Sequence, residues 1–172
     1  MRKVIWQDTR GYTFIELTVV IVLMGLFFAI AMPRFRDAML TDALKSTTRK
    51  MVGMIRNLRN EAIRDHEAYI LIFDLESNRY WTETEYMTPE KRASAHKEAI
   101  PLPEGVRVSD VWFKGKGKQM DGEARIRFNK KGYVKQSVIH LASEDDRQFT
   151  LVLSPFLRSV QVLERYVEFE DL

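Results

Sequence analysis

The hydrophobic pattern of the chain begins with a long apolar run. From Leu17 to Met32, sixteen consecutive residues carry no charge. Phe14 and Ile15 extend the run in the N-terminal direction, across the single acidic residue Glu16. A helix that spans a membrane needs about 20 apolar residues, so this run lies at the short end of that range. The pattern predicts an apolar helix with one carboxylate in its first turn.

The next part of the chain has an amphipathic pattern. Apolar residues recur there at intervals of three, four and seven, which places them on one face of a helix, and basic residues lie between them. These positions are Leu40, Leu44, Met51, Ile55, Leu58 and Ala62. We expect one helix over about residues 12–64, roughly 80 Å long and kinked near Pro33. Its second half is expected to pack its apolar stripe on a folded domain.

After Asp65 the period of the pattern changes from 3.6 to 2, which indicates strands. Residues 68–74 and 79–84 are predicted to form a hairpin, and the polar, proline-containing stretch 85–105 is predicted to be a long loop. Further strands are predicted at 106–113, 124–128, 134–141, 148–153 and 159–169. The expected fold class is α+β, with a long N-terminal helix packed on antiparallel β-sheets.

The composition restricts the chemistry of the chain. Its 172 residues include no cysteine, which excludes disulfides, thiolate metal sites and cysteine nucleophiles. The formal net charge is only +3, so the basic isoelectric point is weak support for nucleic-acid binding. His66, His96 and His140 are isolated in sequence, without the spacing of metal ligands. We therefore expect no enzymatic activity, no cofactor and no small-molecule substrate.

The carboxylate of Glu16 separates three interpretations of the N-terminus. In a secretory signal peptide, residues 29–33 (AIAMP) contain a small-x-small cleavage pattern, but a carboxylate at the head of the apolar region is unfavourable. A plain membrane anchor leaves the carboxylate unpaired, at a cost of about 2.5–3.5 kcal/mol on insertion scales. If the chain is cut after Gly11, the new α-ammonium group of Tyr12 lies one helical turn from Glu16, or near the Glu16 of a neighbouring subunit. Such a pair would set the register of a helix bundle.

These N-terminal residues closely resemble the motif of the type IV pilin family. The motif is a short basic leader ending in glycine, an aromatic residue, threonine, two apolar residues, glutamate and a long apolar helix. Here it reads Gly11, Tyr12, Thr13, Phe14, Ile15 and Glu16, with Gly25 and Pro33 at the family's usual helix-loosening positions. Tyr12 stands where the family usually has phenylalanine. The resemblance implies cleavage between Gly11 and Tyr12 by prepilin peptidase, N-methylation of Tyr12, and a role for Glu16 in subunit register.

The second half of the chain is similar to the GspH/FimT branch of the same family. The similarity lies in residues 58–73 (LRNEAIRDHEAYILIF) and in residues 126–134 (IRFNKKGYV), which contain Phe128 and Gly132. It implies a minor pseudopilin of the type II secretion pseudopilus, which helps to export folded proteins across the outer membrane. Its implied partners are other minor pseudopilins and the major pseudopilin. The alternative is a minor pilin of a type IV pilus, active in pilus assembly or DNA uptake.

The resemblance also implies how the chain is divided and where it is located. Residues 1–11 are the leader peptide, and residues 12–33 are a transmembrane helix that becomes part of the filament core. Residues 34–65 continue the helix, and residues 66–172 form a periplasmic β-rich domain. The implied location is the inner membrane, crossed once with the C-terminal domain in the periplasm, and afterwards the pseudopilus.

Two groups of charged residues are weaker candidates for ligand sites. Lysines on two predicted loops, near aromatic residues, are candidate DNA contacts, but the acidic C-terminus disfavours nucleic acid. They are Lys114, Lys116, Lys118, Lys130 and Lys131. The acidic stretch Ser143–Asp146 and the C-terminal Glu168, Glu170 and Asp171 lack the ligand spacing of a calcium loop. We therefore expect no metal site.

Overall fold

The computed structural model describes residues 12–155 and 159–169, and for residues 30–42 it describes only the helical backbone. The chain divides into two compact units, residues 1–38 and residues 39–172. The predicted leader, with the cleavage residue Gly11, lies outside the described residues. The side chain of Pro33 also lies outside them, so the kink predicted there stays a prediction.

Helix α1 spans Phe14–Arg64, which confirms the single long helix expected from the sequence. Its N-terminus is capped by Thr13, whose Oγ1 accepts a hydrogen bond from the Glu16 backbone N–H at 3.3 Å. The Thr13 carbonyl accepts the first helical bond from the Leu17 N–H at 3.1 Å. The helix therefore begins two residues later than predicted, because Thr13 occupies the N-cap position.

Nine strands of the second unit form two antiparallel sheets among the described residues. The first sheet has the order β3-β2-β1-β6 and the second has the order β5-β4-β7-β8-β9. The strands are β1 (Tyr69–Asp74), β2 (Arg79–Thr84), β3 (Ile100–Pro101), β4 (Val106–Phe113), β5 (Gly117–Gln119), β6 (Glu123–Phe128), β7 (Ser137–Ser143), β8 (Gln148–Leu153) and β9 (Gln161–Leu163). The α+β class with antiparallel sheets is thus confirmed.

The core of the second unit lies between the C-terminal half of α1 and the inner faces of both sheets. The helix contributes the buried side chains Leu44, Met51, Ile55, Leu58 and Ala62, which are the predicted apolar positions within the described part of the helix. Side chains from both sheets join the same cluster, among them Phe73, Ile126, Phe128, Val111, Leu141 and Leu151. The 3.6-residue period therefore identified the buried face of the helix correctly.

Four segments differ from the sequence predictions. Strand β5 lies between two predicted strands, where none was expected. The predicted loop 85–105 contains helix α2 (Pro89–Lys97) and strand β3. Strand β7 starts at Ser137 rather than at residue 134, because Val134 instead bridges to Phe128 at the end of β6. The predicted strand 159–169 is reduced to β9, since the residues after Leu163 leave the ladder and pack their side chains on the second sheet.

Candidate functional site

The apolar side chains at the start of α1 are exposed within the first unit. Phe14 is 87% exposed and Phe27 is 80% exposed, and the large apolar residues described between them are exposed as well. A helix that is apolar on all sides is normally covered by protein or lipid. Within the described residues, no helix is long and apolar enough to cross a membrane. Residues 30–33 of the predicted transmembrane segment lie outside the described side chains.

Glu16 stands in the first turn of α1, where a carboxylate is favoured by the helix dipole. Its side chain has no hydrogen bond or ion pair with any residue in the described part of the chain. Tyr12, the predicted methylation site, precedes the helix and is 84% exposed. At Gly25 a Cβ atom would meet nothing within 4 Å, so packing in this structure does not require glycine there.

Thr13, which the sequence analysis named only as part of the motif, is the N-cap residue of α1. The stretch Thr13-Phe14-Ile15-Glu16 has the spacing of a capping box, in which a threonine caps the backbone N–H three residues later. The signal was present in the sequence. It gives Glu16 a second explanation, as a helix-start residue, beside the predicted pairing between subunits.

The candidate lysines line two adjoining depressions. Lys114 and Lys116 line a cleft beside β6, whereas Lys130 and Lys131 line a second depression with His66, and Arg127 and Asn129 border both. Lys118 is engaged within the fold, because its Nζ donates to the Tyr166 hydroxyl at 2.5 Å. That hydrogen bond raises the pKa of Lys118.

His140 belongs to a buried polar network that holds the C-terminal segment. Its Nδ1 lies 2.7 Å from Asp110 Oδ1, and its Nε2 donates to the Val167 carbonyl at 3.0 Å. The Tyr166 ring stacks on the imidazole, and Lys118 Nζ is 3.7 Å from the second Asp110 oxygen. Every polar atom of the imidazole has a partner, so His140 has a structural role. The other two histidines, at positions 66 and 96, are exposed.

The acidic stretch at Ser143–Asp146 forms a turn, and the carboxylate of Asp145 in this turn already has partners within the fold. Asp145 pairs with Arg147 and accepts from the Ser143 hydroxyl. These contacts lower the pKa of Asp145 to about 2. Among the described residues no group of three or more histidines and carboxylates could hold a metal ion. Glu170 and Asp171 lie outside the described residues.

Comparison with known proteins identifies the fold. No protein-family model matches the chain, and no curated protein matches it. Two solved structures of the minor pseudopilin EpsH from the type 2 secretion system of Vibrio cholerae are similar to it. The first has a TM-score of 0.56 and 14% identity and covers 74% of this chain and 99% of its own. The second has a TM-score of 0.54 and 15% identity, with coverages of 74% and 97%. The chain therefore has the pilin-like fold of the GspH type.

Proposed function

We propose that this protein is a minor pseudopilin, a structural and non-enzymatic subunit of the type II secretion pseudopilus. The observation that carries the proposal is an exposed apolar helix start with one unpaired carboxylate, joined in one chain to a fold shared with EpsH. A subunit with these features is suited to packing its apolar helix among the helices of neighbouring subunits. Its role would be to support the export of folded proteins across the outer membrane.

The proposal includes processing at the N-terminus. Prepilin peptidase would cut between Gly11 and Tyr12 and methylate the new amino group, while residues 12–33 remain in the inner membrane and the second unit faces the periplasm. Intact mass spectrometry of the mature protein tests this step. We expect a chain that starts at Tyr12 and carries one added methyl group. A mature chain that starts at Met1 or at Met32 would contradict the processing proposal.

The role of Glu16 is tested against its competing role in the capping box. Glu16→Gln removes the charge and keeps a capping side chain, whereas Thr13→Ala removes the cap and keeps the charge. If Glu16 pairs with the α-ammonium group of a neighbouring subunit, Glu16→Gln reduces incorporation into the pseudopilus, and Thr13→Ala leaves it near normal. The measurement is the amount of each variant in sheared pseudopili relative to the membrane fraction. The reverse order of effects would assign Glu16 to the helix start alone.

The function itself is tested in a strain that lacks the gene. Exoprotein release and surface piliation are measured side by side in the deletion strain and in the strain complemented with the gene. We expect exoproteins to accumulate in the periplasm while pili remain normal. Loss of pili with normal secretion would instead place the protein in a type IV pilus.

A further inference from the structure

A cleft of about 530 Å³ lies beside β6 in the second unit. One wall is β6, which is the edge strand of the first sheet, and the opposite wall includes β5, the edge strand of the second sheet. The segment 133–137 completes the lining as it leads from the β6 turn into β7. We call this space the β6 cleft. It is thus bounded by the edge strands of two sheets.

Hydrogen bonds at the start of β6 show which backbone groups point into the β6 cleft. The Gly122 carbonyl accepts from the Leu75 N–H at 3.1 Å, on the side of β1. The next carbonyl, that of Glu123, points the other way and accepts from Gln119 Nε2 at 3.0 Å. Because alternate residues of an antiparallel strand direct both their N–H and C=O to the same edge, the odd-numbered residues of β6 face the cleft.

The hydrogen bonds at the end of β6 also show that the odd-numbered residues face the cleft. They leave the backbone N–H and C=O of Arg125 as the unpaired groups. The Asn129 N–H donates to the Tyr133 carbonyl at 2.9 Å, again on the cleft side. No group in the described part of the chain pairs with the backbone N–H or C=O of Arg125 at this edge. Arg125 therefore offers one backbone N–H and one C=O with which an extended chain can pair.

The side chains around the β6 cleft are mostly basic. Arg125 and Arg127 are paired with Glu83 and Glu85, at 2.7 Å and 2.5 Å. Lys116 and Lys135 line the cleft, are exposed, and have no ion pair or hydrogen bond from their side chains to any described residue. Two cations are therefore available for a bound carboxylate.

We propose that the β6 cleft binds an extended, acidic segment of a partner protein by strand addition. The partner's backbone would pair with the N–H and C=O of Arg125, and its acidic side chains would contact Lys116 and Lys135. A protein fits better than nucleic acid, because a peptide backbone can pair with both the N–H and the C=O of Arg125, whereas a phosphate backbone has no N–H to donate to the C=O. The choice of a protein partner rests on the proposed pseudopilin function.

The binding test uses the full-length chain in detergent and a fluorescein-labelled peptide of alternating Glu and Thr. We expect fluorescence anisotropy to show saturable binding that weakens with salt. Two further peptides carry N-methyl groups on alternate residues, one on each edge of the extended peptide. One of the two should lose binding, because only one edge pairs with β6. Equal binding of both N-methylated peptides would overturn strand addition.

Variants locate the site on the protein. The double variant Lys116→Glu/Lys135→Glu should weaken peptide binding by about tenfold or more, since it reverses both available charges. Lys91→Glu, at an exposed lysine on α2, is the matched control and should bind as the unmodified chain does. Unchanged binding by the double variant would overturn the proposal. A single-stranded DNA that binds more tightly than the peptide, and is lost in the double variant, would overturn it in favour of a nucleic-acid site.

The backbone contribution is tested at Arg125 itself. Arg125→Pro removes the N–H that faces the cleft, and a proline is tolerated on an edge strand at such a position. Arg125→Ala removes the same guanidinium group but keeps the N–H, so it is the reference. The proline variant should bind the peptide about tenfold more weakly than the alanine variant. Equal affinities in two folded variants would exclude pairing with β6. This assay is independent of secretion, so failure of the binding proposal and failure of the pseudopilin proposal are distinguishable.

Discussion

Gly132 is the residue at which backbone conformation and packing act together. Its φ is +75°, and a Cβ built on it would lie 2.7 Å from Ile63 Cδ1 and 3.0 Å from Arg59 Cγ on α1. The resemblance of the sequence to the GspH/FimT branch singled out this glycine. The geometry now gives the reason, which is that the turn after β6 passes directly against the helix.

Gly132→Ala is expected to destabilise the fold by about 3 kcal/mol, because a methyl group adds a clash to the strain of a positive φ. Gly122→Ala is the matched control, since Gly122 also has a positive φ, +63°, but has open space around its Cβ position. It should cost only about 1 kcal/mol. Urea unfolding of both variants measures the difference. Equal losses would show that contact with the helix does not matter.

Asp145 gives the second prediction at the residue scale, on pH dependence. Its pKa is lowered from 3.8 to about 2, mainly by the hydrogen bond from Arg147. A lowered pKa in the folded state stabilises the fold above pH 3.8, and this contribution is lost as the pH falls towards 2. We expect Asp145→Asn to lower the free energy of unfolding by about 1 kcal/mol at neutral pH.

The same difference should become small at pH 2, where about half of the Asp145 carboxyl groups of the folded chain are protonated. Unfolding curves at neutral and acidic pH measure it. Glu104→Gln, at an exposed carboxylate, is the control for loss of a surface charge and should leave the free energy of unfolding at neutral pH unchanged. A difference between the Asp145→Asn variant and the unmodified chain that persists at pH 2 would mean that the substitution acts through packing rather than through charge.

At the scale of elements, most of the fold follows from the sequence because periodicity reports burial. Strand β4 lies at the predicted positions, and its first half, from Val106 to Asp110, alternates between buried and more exposed residues. Helix α2 was missed because none of its residues is buried, so it has no apolar period. Its remaining signal is local: Thr88 caps the helix, and Pro89 occupies the first turn. Those residues also occur in loops, which is how the stretch was interpreted.

The C-terminal segment after β9 depends on Thr150. The Thr150 hydroxyl donates to the Arg165 carbonyl at 2.6 Å and accepts from the Val167 N–H at 3.2 Å. Thr150→Val leaves this buried N–H without a partner, which should cost about 1–3 kcal/mol and loosen residues 164–169. Thermal unfolding measures the cost, and limited proteolysis within 164–169 measures the loosening.

Thr47→Val is the control for this element, because the Thr47 hydroxyl is buried without a hydrogen-bond partner in the described structure. Removing that hydroxyl should be neutral or slightly stabilising, although the side chain changes in the same way. If both variants lose the same stability, the loss comes from the valine side chain and not from the hydrogen bonds of Thr150.

At the scale of the whole molecule, the two candidate interaction surfaces are the apolar start of α1 around Glu16 and the β6 cleft. The residues of the first surface are neighbours in the sequence, so the order of residues around Glu16 is enough to predict it. The β6 cleft depends on strand order: β6 pairs with β1, more than 40 residues earlier, and β5 pairs only with β4. Which strands become edges is decided by these distant pairings. The lysines were therefore identified in the sequence, but the two adjoining depressions that they line were not predictable.

The division into two units leads to the last prediction, that a chain starting at Met39 folds by itself. The buried hydrophobic residues described in the structure run from Leu44 to Val167, so they all belong to the second unit. The exposed apolar residues around Phe14 and Phe27 belong to the first. Residues 39–172 should therefore stay in solution without detergent and unfold cooperatively in urea.

The full-length chain should need detergent, because its first unit exposes apolar side chains that a monomer does not cover. Circular dichroism and size-exclusion chromatography of both chains provide the measurement. A fragment that aggregates or unfolds without a cooperative transition would show that the first unit contributes to the stability of the second. In the expected case, the apolar N-terminal helix is free to pack with lipid or with other subunits while the second unit keeps its fold.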